Sequence, residues 1–573
     1  MKKVKLFSFA LAALMLGACS SEDVIDNGGQ GTVLPGEKGY ISLAINLPTR
    51  PSTRANDNFD DGLPVEYAVN NATLLIFEGT DEASAKFAGG YDLGTITPNT
   101  VGGNITSTFK VTKEIKKPVN GDLYALVVVN RGDVLTTEDQ GATWKLNGTE
   151  LSALTTLSAF NATAQEIAAE KLYDTTDDGN GFFMTNAPLY SVPGGTVQPS
   201  NGNLSTLTLI NAENVYTTAA EAEANPAASV YVERAVAKVT VNGTNGNLGN
   251  NAGMTYTISG WTFDVTNKKT YLVRNMTDAN TWWNYNVAGD YRFVGSAAVG
   301  PNLYRTYWGV DPNYSSYIAG DFNIFAGQTP ADLNPVNGNG YCLENTFDVD
   351  NQNQNQTTRV IVAATLNAGS TFYILDNDKG KIWSKTEAED AVKAEYLGNQ
   401  AVIAALTANL DGADKKITGA DLTVTFDKAA GDLTVTMIEI SADKAGDFKG
   451  DVIPDALKPG TEANNAILAA VNAGKKVSCY ANGVAYYPVM IRHFDDNQTP
   501  WNNVEYGGNE NNFLGRYGVL RNNWYEINVT GIRDIGYADV PEVYGTPDDP
   551  MESYISVEIN VLSWAKRSQN VNL

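Results

Sequence analysis

Two stretches at opposite ends of this chain are nearly the same β-strand. YISLAINL, Tyr40 to Leu47, and YISVEINV, Tyr554 to Val561, match at five of eight positions. Apolar side chains alternate in both. Ile41, Leu43, Ile45 and Leu47 share one face of the first, and Ile555, Val557, Ile559 and Val561 share one face of the second. Either strand fits the same half-buried slot. The first copy lies just upstream of Arg54-Ala55, in a polar stretch (PSTRANDNFDDG) expected to be exposed and cleavable. A cut there frees the first strand, and the groove it leaves suits Tyr554 to Val561 of a second molecule. That is strand addition between copies of one chain.

The bond that is cut follows from local chemistry. Arg50 precedes Pro51, whose ring and missing N–H make a poor protease substrate, whereas Arg54-Ala55 has no such obstacle. The alternative is that Arg54 is a solvated loop charge. Until cleavage, burial of four aliphatic side chains at ~1.5–3 kcal/mol each holds the strand by roughly 6–12 kcal/mol, an upper figure. The C-terminal copy has Val for Leu at two inward positions, so burial alone does not favour it. Removal of the first strand has to drive the exchange.

The N-terminus directs the chain out of the cytoplasm. Lys2, Lys3 and Lys5 precede an apolar run, Leu6 to Leu16, too short for a membrane-spanning helix but suited to a secretory signal over residues 1–18. Leu16-Gly17-Ala18-Cys19 resembles a bacterial lipobox, which implies cleavage before Cys19 and acylation (palmitate) of its thiol. A plain secretory signal with an incidental cysteine is the alternative.

A formal charge of -25 argues against nucleic acid and anionic lipid as partners. The three cysteines cannot form a disulfide framework in 573 residues; Cys19 leaves with the propeptide, and Cys342 and Cys479 either pair or stay free and buried. With His493 the only histidine, Ser-His-Asp chemistry and His-based metal sites have little material, so no enzyme, no catalytic residue, no cofactor and no metal is expected.

Strand signals recur along the chain at Ala68 to Phe77, Leu123 to Asn130, Phe182 to Tyr190 and Leu204 to Leu209, enough for a first sandwich. Glu150 to Phe160 and Ala164 to Leu172 have helical spacing. The Ala-, Glu- and Asn-rich segment Thr217 to Ala228 lacks strand character, and the domain linker is expected in or beside it. A second domain then opens with YVERAVAKVTV, Tyr231 to Val241, and continues through Thr255 to Val265, Tyr271 to Val273, Arg359 to Ala364, Leu422 to Phe426, Leu433 to Ile438, Val484 to Ile491 and Tyr525 to Val529. Helices are expected after Thr386, boxed with Glu389, and after Thr461. The loop Pro541 to Pro550 sets the last strand apart, as a donor needs. The expected division is 1–18 signal peptide, 19–54 propeptide containing strand 40–47, 55–228 and 229–550 sandwich domains, and 551–573 donor segment.

YVERAVAKVTV, YCLENT (Tyr341 to Thr346) before TTRVIV, YGVLRNNWYEINVTGIRDIG (Tyr517 to Gly536) and the ending SVEINVLSWAKRSQNVNL together resemble the type V fimbrial pilins (fimbrillins) of Bacteroidota. The nearest likeness is to shaft subunits of the minor, short fimbriae. Ser20 to Asp23 also resembles the acidic tag that sends lipoproteins of these bacteria to the surface. The resemblance covers both ends and most of the second domain, and only weakly the first. It implies a mostly β fold of two transthyretin-like Greek-key β-sandwich domains with a few added helices and a C-terminal donor strand. It further implies export as an outer-membrane lipoprotein, maturation by an arginine-specific protease, and head-to-tail polymerisation of identical subunits with accessory tip and anchor pilins. The destination is a cell-surface fimbrium serving cell adhesion and biofilm formation.

A tip subunit needs no donor strand and an anchor needs no removable plug, so a chain with both is expected in the shaft. Trp564 and Val571 to Leu573 extend the donor or form a frayed end. The rival role is adhesion, as a tip or accessory subunit or as a monomeric glycan-binding lipoprotein. Thr281 to Tyr317 is dense in aromatic residues, and Trp282, Trp283 and Trp308 are the candidate rings for a host protein or glycan, against the plainer reading that they are core.

Overall fold

The computed structural model describes residues 33–47, 63–96, 100–101, 104–105, 108–119, 121–152, 155–163, 167–176, 179–192, 204–276, 294–300, 302–306, 308–325, 332–494, 514–548 and 555–563. The fold is mostly β, in several sheets. The first large sheet is built from β1 (Lys38–Asn46), β2 (Ala72–Gly79), β3 (Lys86–Gly94), β4 (Thr108–Lys116), β5 (Asp122–Val129), β6 (Met184–Asn186) and β7 (Ala228–Arg234). Their spatial order is β3-β2-β5-β6-β7-β1-β4, with Thr208–Ile210 added beside β5. In β2 and β5 the run of buried residues is almost unbroken, which is why ATLLIFEG and DLYALVVV read as continuous apolar stretches rather than alternating ones. Leu74, Ile76, Leu126, Val128, Phe160 and Met184 meet the inward residues of β1 in one core.

The chain then builds two facing sheets from β8 (Val236–Gly243), β9 (Thr255–Asp264), β10 (Asn339–Leu343), β11 (Arg359–Leu366), β12 (Val484–Met490), β13 (Asn523–Ile532) and β14 (Ile555–Ser563). One sheet runs β10-β8-β13-β14; the other contains β9-β11-β12. Val239, Trp261, Val362, Tyr487, Tyr525 and Ile527 interdigitate between them, as in a β-sandwich. Residues 372–480, between β11 and β12, form an insert with its own core of Tyr373, Tyr396, Ile438, Leu457 and Val471. Its helices are Lys385–Gly398, Gln400–Asn409 and Glu462–Gly474.

Thr218 caps a short helix, Ala219–Ala224, that packs on β1 and β4, and the chain passes from the first sheet to the second at the fully buried Ala235, between β7 and β8. Tyr231 to Val241 therefore serves both halves as one nearly continuous ribbon. The helix expected after Thr386 begins two residues earlier, with Ser384 as its cap and Glu387 closing the box; SKTE and TEAE both carry the motif, and burial of Ala388, Val392 and Tyr396 selects the first. Tyr271 to Val273 is not a strand, although Leu272 and Val273 are buried. The cap at Thr461 is as expected, its hydroxyl accepting from the Asn464 amide.

The two halves meet at buried charges. Glu66, in the short helix Pro64–Tyr67, is fully buried and receives Lys238 Nζ at 2.9 Å and the Tyr341 hydroxyl at 2.6 Å. Arg234 Nε donates to the Glu66 carbonyl oxygen at 2.8 Å. Burial, then the Glu66 charge, pushes the Tyr341 phenol far above its usual range, which keeps it a donor. Nearby, Arg521 contacts Glu344 at 3.3 Å and donates to the carbonyl oxygens of Tyr271 (2.6 Å) and Leu272 (3.0 Å). Removing one partner of such a pair strands the other in low dielectric. Glu66→Ala is therefore expected to lower precursor stability by about 3–5 kcal/mol in urea unfolding, and Glu66→Leu with Lys238→Met to recover most of it. A loss under about 1 kcal/mol would mean that water reaches the seam.

Candidate functional site

The site the sequence singles out is the place of β1. It is an interior strand: antiparallel to β4 along its whole length, from Lys38 opposite Lys116 to Asn46 opposite Thr108, and parallel to β7 from Leu43 beside Ala228 to Asn46 beside Tyr231. Where β7 ends, other backbone takes over. Tyr40 exchanges both amide hydrogen bonds with Tyr216 (2.7 and 2.9 Å), and the Ala227 amide donates to the Ser42 carbonyl oxygen at 2.7 Å. Both edges of β1 are thus in use, as buried backbone requires. Ile41, Leu43, Ile45 and Leu47 are all at most 5% exposed, so the sequence-assigned inward face is the inward face.

The opposite face explains which residues the two strand copies share. Ser42 has no exposure, leaving room for a small side chain only. Asn46 Nδ2 donates to Ser229 Oγ at 2.7 Å and to the Val230 carbonyl oxygen at 3.2 Å, tying the strand to β7. The Tyr40 hydroxyl lies 3.4 Å from Glu114 Oε2, beside a 2.6 Å ion pair between Lys38 and Glu114 at the rim. The hydrogen bond from Lys38 holds the Glu114 carboxyl below its usual range. Tyr40, Ser42 and Asn46 recur in the C-terminal copy as Tyr554, Ser556 and Asn560, and Ile41 and Ile45 as Ile555 and Ile559. Leu43 and Leu47 become Val, and the half-exposed Ala44 becomes Glu558. Two of the three substitutions are conservative, Leu to Val at buried positions, and the one polar change falls at the partly exposed Ala44.

The copy itself, β14, sits differently. It is the last strand of its sheet and, among the described residues, pairs with β13 alone, from Ser563 opposite Asn523 to Ile555 opposite Ile532, with a bulge at Val529/Gly531. Val557 and Ile559 are buried against the second core. An edge strand can leave without breaking a ladder on its far side, which an interior strand cannot do.

Trp308 is not an exposed ring. It is fully buried, with Phe347, His493 and Phe494 around it, because the local chain folds as a small aromatic core with Tyr314 and Tyr517. Only Tyr317 of that stretch is largely exposed among the described residues, and it stacks on Phe322 at 5.8 Å. Cys19, Arg54, Ala55, Trp282, Trp283 and Trp564 lie outside the described residues. Cys342 and Cys479 are free and buried, in different cores, which resolves the pairing question left open by spacing. His493 closes the end of β12, with Nδ1 2.8 Å from the Tyr525 hydroxyl. Among the described residues no group of three His, Cys, Asp or Glu side chains is placed to hold a metal, and no helix is long and apolar enough to cross a membrane.

Leu43→Ala in the uncleaved precursor is expected to cost about 2–5 kcal/mol in denaturant unfolding, as for a buried core leucine. Glu558→Ala should leave that transition within about 0.5 kcal/mol of wild type. Equal effects from both would mean that β1 is not part of the core.

Residues 478–570 match the family described as major fimbrial subunit protein type IV, fimbrillin, C-terminal. No curated protein matches the chain. Among solved structures, a fimbrilin from Porphyromonas gingivalis is 14% identical, with 92% of this chain and 99% of that one covered and a TM-score of 0.32. The tip fimbrial protein Mfa3 from the same organism, with a C-terminal truncation, is 12% identical over 92% of this chain and 100% of that one, TM-score 0.27. A fimbrial assembly protein from Parabacteroides distasonis is 11% identical over 57% and 82%, TM-score 0.24. The residues that match this family carry β12, β13 and β14.

Proposed function

We propose that this chain is a shaft subunit of a surface fimbrium, exported as a lipoprotein through Cys19 and matured by cleavage of Arg54-Ala55. In this reading β1 is a removable plug. Its departure opens an apolar groove between β4 and β7, and Tyr554 to Val561 of a neighbouring subunit fills it. Assembly is head to tail, because each molecule offers one groove and one donor. The observation that carries the reading is the contrast between the twin strands. One is interior, held on both edges; the other is an edge strand with the same constrained residues. The burial of Trp308 removes one of the three rings on which an adhesive role rested.

Treatment of purified full-length precursor with an arginine-specific protease should give a new N-terminus at Ala55. An unboiled denaturing gel should then show a ladder of multimers, absent from a protein truncated before Tyr554. Cleavage at Ala55 with no ladder from the full-length protein would contradict strand exchange.

A further inference from the structure

The one polar change between the strand copies replaces Ala44 by Glu558, and the slot has a cation at that place. The register sets Ala44 opposite Lys110 on β4 and beside Ser229 on β7. Lys110 is exposed, and no hydrogen bond or ion pair to it occurs among the described residues. Further along the outward face of β4, Thr112 faces Ser42, Glu114 is already engaged by Lys38, and Lys116 lies opposite Lys38 itself. Among the described residues, a plug with alanine at this position gives Lys110 no counter-charge.

We infer that Lys110 and Glu558 form a cross-strand ion pair between adjacent subunits, one that the plug cannot make and that sets the register of the incoming strand. The inference rests on the strand-exchange reading. If the copy enters as its sequence match dictates, Tyr554 takes the place of Tyr40 and Glu558 that of Ala44, directly opposite Lys110. A slip of two residues would keep an apolar face inward, so alternation alone does not fix the register. Such a slip would put Ser556 or Asn560 opposite Lys110 instead. In its own sheet the register sets Glu558 opposite Asn528, with Glu526, a like charge, two residues along β13 at the diagonal position. The charge pattern therefore disfavours the parked position and favours the neighbour's slot.

The test uses full-length precursors of wild type, Lys110→Glu, Glu558→Lys and the double swap, each cleaved with the arginine-specific protease at low ionic strength. Each single variant should form its ladder about two- to fivefold more slowly, the range of a solvent-exposed ion pair. The double swap should return to near the wild-type rate, and about 1 M salt should erase the differences. Uncleaved Lys110→Glu should unfold at the wild-type denaturant midpoint, because alanine faces that position in the precursor. Single variants as fast as wild type, or a double swap as slow as the two losses combined, would overturn the pairing. Failure of wild type to form a ladder would overturn strand exchange itself, a distinguishable result.

Discussion

An interior strand held along both edges and packed into the first core constrains the rest of this molecule. β1 satisfies backbone groups of β4 on one side and of β7, Ala227 and Tyr216 on the other, and it closes the first core with four aliphatic side chains. Taking it away exposes two facing strand edges and an apolar trough at once. Exposed edges and unfilled apolar grooves associate with whatever extended chain reaches them. Under the proposed strand exchange, the plug would have to stay covalently continuous until a replacement whose residues meet the same demands is at hand, and the pair of matching segments would meet both requirements.

The ribbon from Ala228 to Gly243 links that slot to the rest of the chain. β7 lies beside β1, bends at Ala235 and continues as β8, which is parallel to β13, the strand on which β14 rests. In a polymer assembled by strand exchange, tension on a donor would therefore be taken up by one covalent ribbon crossing both sheets. The buried Glu66, Lys238, Arg234 and Tyr341 lock the halves at this crossover.

Much of the strand framework was legible in the sequence. Alternation placed the inward faces of β1 and β14, and the strands at Leu123, Thr255, Arg359, Val484 and Tyr525 follow from apolar runs bounded by turn residues. What escaped has physical reasons. The crossover at Ala235 carries no turn signal, because apolar residues continue on both sides of it. The cap at Ser384 competes with an equally good motif two residues on, and only tertiary packing separates them. Buried charges such as Glu66, Arg234 and Arg521 read as surface residues until their partners, distant in sequence, are brought together. Trp308 shows the converse: an aromatic cluster looks the same in sequence whether it faces water or a core. Lys110 carried no signal until pairing placed it opposite Ala44.

The most direct measurement is an electron cryomicroscopy map of the polymer formed by cleaved full-length protein, with the identity of the strand between β4 and β7 read from its side chains. Strand exchange requires that strand to be Tyr554 to Val561 of the next molecule, with Glu558 facing Lys110 and the plug absent. A polymer in which Tyr40 to Leu47 still occupies the slot, or in which β14 remains on its own β13, would contradict it.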